Sequence, residues 1–243
     1  MIKNRKRKGV ALVTGAAKRI GKVISFKLAS MGYAIALHCN KSTTDAQATA
    51  SMIKKMGGTC DIFPCDLSIA SETSKLVKQV VKRFGELHIL VNNASVFTPS
   101  KLVSSTIEDI DQNFAINFKA PYLLTRDFAI QCKSGNIINI VDTNVSRNTT
   151  AHFAYLLSKK SLANFTKMAA IELAPTIRVN AIAPGLILPP EGQDQSFLEK
   201  RAKDIPMKKK GQPADIAAAV EFILNSPFLT GQIIPIDGGE GLI

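Results

Sequence analysis

The sequence predicts an α/β fold in a single domain, a doubly wound and mostly parallel sheet of about seven strands flanked by helices. Three observations carry that expectation. Short apolar runs rich in Val, Ile and Leu alternate with helix-period segments along the chain, the order that builds βαβ units. A glycine-containing turn, Thr14-Gly15-Ala16-Ala17-Lys18-Arg19-Ile20-Gly21, follows the first apolar run and opens the first helical segment, the context in which backbone N–H groups cradle phosphate. With 243 residues, 46% hydrophobic content and no Trp, the chain can cover both faces of such a sheet as one unit.

Taken in order, strands are expected at Val10–Thr14, Ala34–His38, Cys60–Phe63, His88–Val91, Asn136–Val141, Arg178–Ala183 and Gln232–Ile236, runs of the length and composition of buried strands. Helices fill most of the intervals. Residues 1–8 read as a basic tail, because Lys3-Asn4-Arg5-Lys6-Arg7-Lys8 leads directly into the first strand and lacks the apolar middle region of a secretory signal. The domain proper is 9–243. After the sixth strand, Ile187-Leu188-Pro189-Pro190-Glu191-Gly192-Gln193 is broken by Pro and Gly and gives way to a helical stretch at Ser196–Lys203. A loop near 186–205, at the C-terminal edge of a parallel sheet, is where a substrate lid would sit.

Composition narrows the partners. The net charge of +12 is concentrated in the N-terminal cluster and in Lys208-Lys209-Lys210. Neither cluster is interleaved with aromatics, so a solvated tail and loop are expected and not a nucleic-acid surface. No apolar run is long enough to span a bilayer, which makes a cytoplasmic location the expectation. Cys39, Cys60, Cys65 and Cys132 show no Cys-x-x-Cys spacing and no accompanying His pattern. They read as reduced, half-buried hydrophobes, with no metal site.

In the turn, Gly15 permits the tight bend and Gly21 the close helix–strand approach. Arg19 stands at the start of a helix, where a cation opposes the macrodipole unless an anion compensates it. Its guanidinium is therefore expected at cofactor phosphates or at an acidic or carbonyl group of the substrate, the alternative being a plain surface arginine. The second strand leads into Asn40-Lys41-Ser42, with no carboxylate before Asp45. An acid there would accept ribose hydroxyls of NAD, whereas Lys41 and Ser42 suit a 2′-phosphate. NADPH is the expected cofactor, with Lys18 as a second cation.

Tyr155 and Lys159 lie four residues apart on one helix face, where an ammonium can stabilise a phenolate near neutral pH. The strand before them ends in Asp142. A carboxyl group there suits a nitrogen heterocycle, because it can accept N–H bonds or, protonated, supply a proton to a C=N nitrogen. It suits a simple ketone poorly, since it would repel the developing alkoxide. Thr143, the next residue, points to the other side of the strand. A capping role for Asp142 is the competing reading.

The glycine turn, the strand ending in Asp142 and the pair Tyr155/Lys159 together resemble the short-chain dehydrogenase/reductase family over the whole chain. Arg19 and Asp142, where that family usually carries Gly and Ser, are similar to its pteridine reductase and dihydromonapterin reductase branch. The resemblance implies a Rossmann-type fold, NADPH, a small-molecule pteridine substrate and a homotetramer. It places Gly15, Lys18, Arg19, Ile20, Asn40, Lys41, Ser42, Asp66, Leu67, Asn93, Ala94, Ser95, Pro184 and Gly185 around the cofactor. Asp66 would hold the adenine amino group, and Lys159 would grip the nicotinamide ribose and lower the pKa of Tyr155. Asn117 matches the family's Asn that orders a water beside the Lys, with Asn113 as the competing candidate. On the substrate side it implies Arg19, Ser95, Phe97, Asp142, Tyr155 and Leu186, with Phe97 stacking on a flat bicyclic ring. A reductase of 3-oxoacyl thioesters is the second reading, disfavoured by the absent Ser. A non-catalytic dinucleotide-sensing or nucleic-acid-binding protein is the third, disfavoured by the intact Asn117/Tyr155/Lys159 set.

Overall fold

The computed structural model describes residues 7–190 and 192–243. Seven strands form one parallel sheet in the order β3-β2-β1-β4-β5-β6-β7. They are β1 (Gly9–Val13), β2 (Tyr33–Cys39), β3 (Cys60–Pro64), β4 (Ile89–Asn92), β5 (Gly135–Ile140), β6 (Ile177–Pro184) and β7 (Ile233–Ile236). Each expected strand is present within two residues at either end. The sheet grows in one direction from β1 to β3 and in the other from β4 to β7. The ends of β1 and β4, paired at Val13↔Val91, thus form the switch point at which doubly wound sheets bind ligands.

Period-2 alternation divides the strand side chains between two cores. Ala11, Val13, Ile35 and Leu37 pack with Ile24, Leu28, Ile53, Ile216 and Val220, the inner faces of α1 (Arg19–Ser30), α2 (Thr43–Lys55) and α8 (Pro213–Asn225). Val10, Leu12, Leu90 and Val179 pack on the other face with Leu76, Val80, Leu124 and Phe128, from α3 (Ala70–Phe84) and α5 (Ala120–Gln131). Burying such a side chain contributes about 1.5–3 kcal/mol, which is why no residue of β1 is polar.

Three departures from the sequence expectation matter. Arg7 donates to the Phe84 carbonyl and pairs with Glu86 at 2.7 Å, so this residue of the expected tail is fastened to the domain surface; the rest of that cluster, up to Lys6, lies outside the described residues. The helix expected at Ser196–Lys203 is α7 (Gln195–Ala202), started by Asp194, whose carboxylate accepts the Ser196 N–H. The long helix before β5 is not continuous. It runs as α4 (Ile107–Phe114), a π-helical turn at Ala115–Lys119, and α5. Pro121 near the start of α5 has no N–H to return to the Asn117 carbonyl, and a widened turn accommodates that gap. Among the described residues no helix is long and apolar enough to cross a membrane.

Candidate active site

The phosphate-binding turn closes only with glycine at both ends. Gly15 has φ +61°, and a Cβ on it would lie 3.0 Å from Ala94 Cα; a Cβ on Gly21 would lie 2.3 Å from the Gly15 carbonyl oxygen. Thr14, expected to end the first strand, instead pins the turn. Its hydroxyl donates to Val91 O and accepts the N–H groups of Asn93 and Ala94 at 2.9 and 3.0 Å. The Asn93 amide donates to the carbonyls of Thr14 and Gly15. Asn93 and Ala94 therefore form the floor of the turn, and α1 points its first N–H groups into the same space.

His38, at the end of the second expected strand, also takes part in the site. It accepts the Gly15 N–H at Nδ1 (3.0 Å) and lies 3.0 Å from Cys65 O at Nε2. The carbonyl requires a donor, so the proton sits on Nε2. One buried imidazole thereby ties the C-terminal ends of β1, β2 and β3 together. Burial pushes its pKa down to about 4, only partly opposed by its bond to Cys65 and the charge of Asp66. A folded-state pKa below the unfolded value means that the unfolded chain takes up the proton first as pH falls. This residue should therefore cost the fold roughly 2–3 kcal/mol between pH 7 and pH 4.5. Urea unfolding of wild type and His38→Gln at the two pH values checks this, the variant losing less on acidification.

Asn40, Lys41 and Ser42 are solvent-accessible between β2 and α2. The only acid close by in sequence, Asp45, sits in the first turn of α2 and is exposed. Asp66 at the end of β3 accepts from the Ser68 hydroxyl (2.7 Å) and N–H (2.9 Å). Those bonds to Ser68, with smaller contributions from Asn40 and Lys41, hold its carboxyl below the usual range. Leu67 is buried in one core and Ile20, half-buried, packs against the other. Lys18 and Arg19 are exposed. Arg19 has φ +56° and donates to the Pro189 carbonyl at 2.7 Å, joining the phosphate-binding turn to the loop after β6. That loop starts at Pro184-Gly185, where a Cβ on Gly185 would meet Asp237 at 2.6 Å. Leu186 follows, half-buried, its carbonyl bonded to Gly211 N–H. Glycines that seat the turn, an acid-free β2 end and the cation Lys41 suit a dinucleotide with a 2′-phosphate.

Across the switch point, α6 (Phe153–Leu173) carries Tyr155 and Lys159, 8% and 2% exposed. The Tyr155 hydroxyl donates to Asp142 Oδ2 at 2.9 Å, and Lys159 Nζ donates to the Ile140 carbonyl at 2.8 Å, 5.9 Å from the Tyr155 ring centre. Burial and then the Asp142 charge and hydrogen bond raise the Tyr155 pKa well above its ordinary value. Burial lowers that of Lys159 to about 8, against the pull of Asp142. The expected lowering of the tyrosine pKa by the lysine is thus reversed. The phenol's direct partner is a carboxylate, while the ammonium is spent on a main-chain carbonyl, so Tyr155 holds its proton.

Asp142 also accepts the Asn144 N–H and caps the short helix Thr143–Ser146. The capping bond and the bond from Tyr155 each take one carboxylate oxygen. Thr143 turns away and donates to Asp237. Asn117, in the π-helical turn, accepts from the Ser95 hydroxyl and Val96 N–H (3.0 Å each) and donates to Val96 O and Ser158 Oγ (3.1 Å each). It braces the post-β4 loop against α6, and its amide also reaches Asn113 at 3.3 Å; Asn113 itself bonds back to the Asp109 carbonyl. Phe97, 45% exposed, stands edge-on to Tyr155 (ring centres 4.8 Å, 85°) and stacks on His152 (4.0 Å, 28°). His152 was not visible as a site residue in sequence; nothing in its spacing announces that it lines the wall beside Tyr155.

A dinucleotide cradle on one side of a sheet's switch point and a buried Tyr–carboxylate pair with a lysine on the other define an oxidoreductase of the Rossmann type. The chain belongs to the short-chain dehydrogenase/reductase family, and the family model described as "Enoyl-(Acyl carrier protein) reductase" matches residues 15–240. It is 31% identical to a 3-oxoacyl-[acyl-carrier-protein] reductase of Synechocystis over 95% of this chain and 96% of that protein. It is 32% identical to an uncharacterized oxidoreductase of Mycobacterium tuberculosis over 95% and 91%. Among solved structures, FolM alternative dihydrofolate reductase 1 from Brucella suis in complex with NADP superposes with a TM-score of 0.93 at 37% identity, covering 97% of this chain and 96% of that one.

Proposed function

We propose that the protein is an NADPH-dependent reductase of a C=N bond in a pteridine of the dihydropterin or dihydromonapterin type. The observation that carries the reading is Asp142 Oδ2 at 2.9 Å from the Tyr155 hydroxyl, a carboxylate where carbonyl reductases of the fold carry Ser. The 37% identity to the NADP-bound Brucella alternative dihydrofolate reductase supports it. Bound NADPH would supply hydride to the ring carbon, leaving the adjacent nitrogen in need of one proton. Tyr155 holds that proton at its hydroxyl, and Asp142 keeps the hydroxyl directed and can accept an N–H of the heterocycle. Phe97 and His152 offer an aromatic wall to a flat ring. Lys159 bears its charge next to the ring of Tyr155, where the nicotinamide ribose would lie.

The 3-oxoacyl thioester reductases at 31–32% identity support a second reading, reduction of a thioester ketone. NADPH oxidation measured with dihydropterin, dihydrofolate and an acetoacetyl thioester separates the two. Preference for the thioester would overturn the pteridine assignment. The same proposal includes homotetrameric assembly, for which exposed Met168 and Ile171 on α6 and Tyr122 on α5 offer apolar area; light scattering at assay concentration checks the mass.

Cofactor choice has its own test. NADPH should bind more tightly than NADH, and Lys41→Asp should weaken NADPH by about 1.5–3 kcal/mol, the worth of a charge-assisted contact, while sparing NADH. Titration of both dinucleotides by quenching or calorimetry reads the difference. Equal affinities in the unmodified protein would remove the claim.

A further inference from the structure

We infer that Asn144 is a positioning residue for the proton-transfer pair, holding the Asp142 carboxylate in the orientation that presents Oδ2 to Tyr155, and that Arg147 and the C-terminal segment hold Asn144 in turn. This rests on the reductase reading of the same site. The chain of contacts runs in one direction. Asp142 Oδ1 accepts both the Asn144 N–H and its side-chain amide, each at 2.8 Å. The amide cannot be the other way round, because Arg147 Nε, which can only donate, lies 2.7 Å from Asn144 Oδ1. Arg147 then donates to the carbonyls of Glu240 and Ile243 and reaches Glu240 Oε1 at 3.4 Å.

Glu240 is 6% exposed and also receives Arg201 of α7 at 3.2 Å. The helix after the substrate loop and the turn that carries Asn144 therefore lean on one buried carboxylate. A second fastening lies beside the first, where Thr143 bonds Asp237. A Cβ on Gly241 would come within 3.0 Å of both Asp237 Oδ2 and Thr143 Oγ1, so the C-terminal segment is packed directly against this turn. With Oδ1 committed to two donors, rotation of the Asp142 carboxylate would break both bonds, and Oδ2 stays on Tyr155. Of the ionisable groups near Asp142, Tyr155 of α6 bonds it, Lys159 of α6 and Glu240 of the C-terminal segment feel its charge, Arg147 bonds the neighbouring Asn144 and Asp237 the neighbouring Thr143.

The test compares Asn144→Ala with the isosteric Asn144→Asp, each in the full chain with NADPH. Asn144→Asp keeps the volume and an acceptor for Arg147 but puts a carboxylate where the amide donates, 2.8 Å from Asp142 Oδ1, so it adds like-charge repulsion to the lost bond. If the amide positions Asp142, both variants should lose about 10-fold or more in kcat, with KM for substrate and NADPH affinity within a few-fold of wild type. If Asn144 does not position Asp142, Asn144→Ala should turn over at the wild-type rate, and that result overturns the proposal. A loss of kcat in both variants matched by lower thermal stability and weaker NADPH binding overturns it as well.

A second readout needs no substrate. Absorbance titration of the tyrosines, taken as the difference from Tyr155→Phe, should show Tyr155 ionising at lower pH in Asn144→Ala than in wild type, because the freed carboxylate no longer stays on the hydroxyl. An unchanged titration overturns the inference whichever substrate the enzyme prefers. Failure of the pteridine reading is a separate result, seen as preference of the wild type for the thioester, on which the same variants are then compared.

Discussion

Replacing Tyr155 by Phe is expected to lower turnover at least about 100-fold, the lower end of what a positioned general acid contributes, while NADPH still binds. The hydroxyl is the only group deleted, and its hydrogen bond is to Asp142 rather than to any part of the cofactor cradle. The ring's edge contact with Phe97 survives in Phe, so the aromatic wall and the cradle stay intact. The substitution also leaves Asp142 Oδ2 without its donor in a half-buried site, which costs about 1–3 kcal/mol of stability. Single-turnover kinetics with a dihydropterin, together with NADPH titration, check both parts. Near-wild-type turnover would transfer the proton-donor role to another group, with Asp142 next in line.

Substitution of Asp142 by Ser separates the two chemistries. Dihydropterin turnover is expected to fall by at least about 100-fold, with NADPH affinity within a few-fold and a weak activity gained on a simple diketone, because a hydroxyl can donate to a ketone oxygen where a carboxylate would repel it. Because Ser can also cap, the exchange at the bond to Asn144 N–H should cost at most about 1 kcal/mol in stability, read by thermal unfolding. That cost without a kinetic change would mean that only the cap matters. Unchanged pterin kinetics in the variant, with a wild type that prefers the diketone, would sink the pteridine reading and leave the family assignment standing.

How far the sequence reaches can be judged residue by residue. The inner strands were legible because they are largely buried on both faces and so carry mostly apolar residues, as in Val10-Ala11-Leu12-Val13; the outer strands β3 and β7 are only partly buried. The glycine turn was legible because Gly15 and Gly21 sit where any side chain would collide. Tyr155 and Lys159 were legible as a pair because their spacing puts them on one helix face, and Asp142 joined them through the resemblance to a family that usually carries Ser there. Their grouping was expected, and the structure brings Asp142 and Tyr155 into direct contact.

What sequence could not show depends on contacts between residues far apart in the chain. Arg19 reaches Pro189, a partner 170 positions away. His38 became a tie between three strands only once β1, β2 and β3 were placed side by side. His152 became part of the site wall only once the loop bearing Phe97 folded over it. The π-helical turn carrying Asn117 had its cause in view at Pro121, yet its consequence, a brace between the post-β4 loop and α6, needed both of those elements in position.

The balance of charges at the reacting centre shows the same division most clearly. The sequence by itself determined the fold class and the glycine turn, since those follow from apolar periodicity and local sterics, and the resemblance to a family pointed to the ionisable groups. Only the tertiary structure decided the protonation preference of Tyr155, because that depends on whether Lys159 or Asp142 faces the hydroxyl and on how much water remains. Electrostatic interactions strengthen steeply as distance shrinks and solvent is excluded, and both quantities are set by packing between elements.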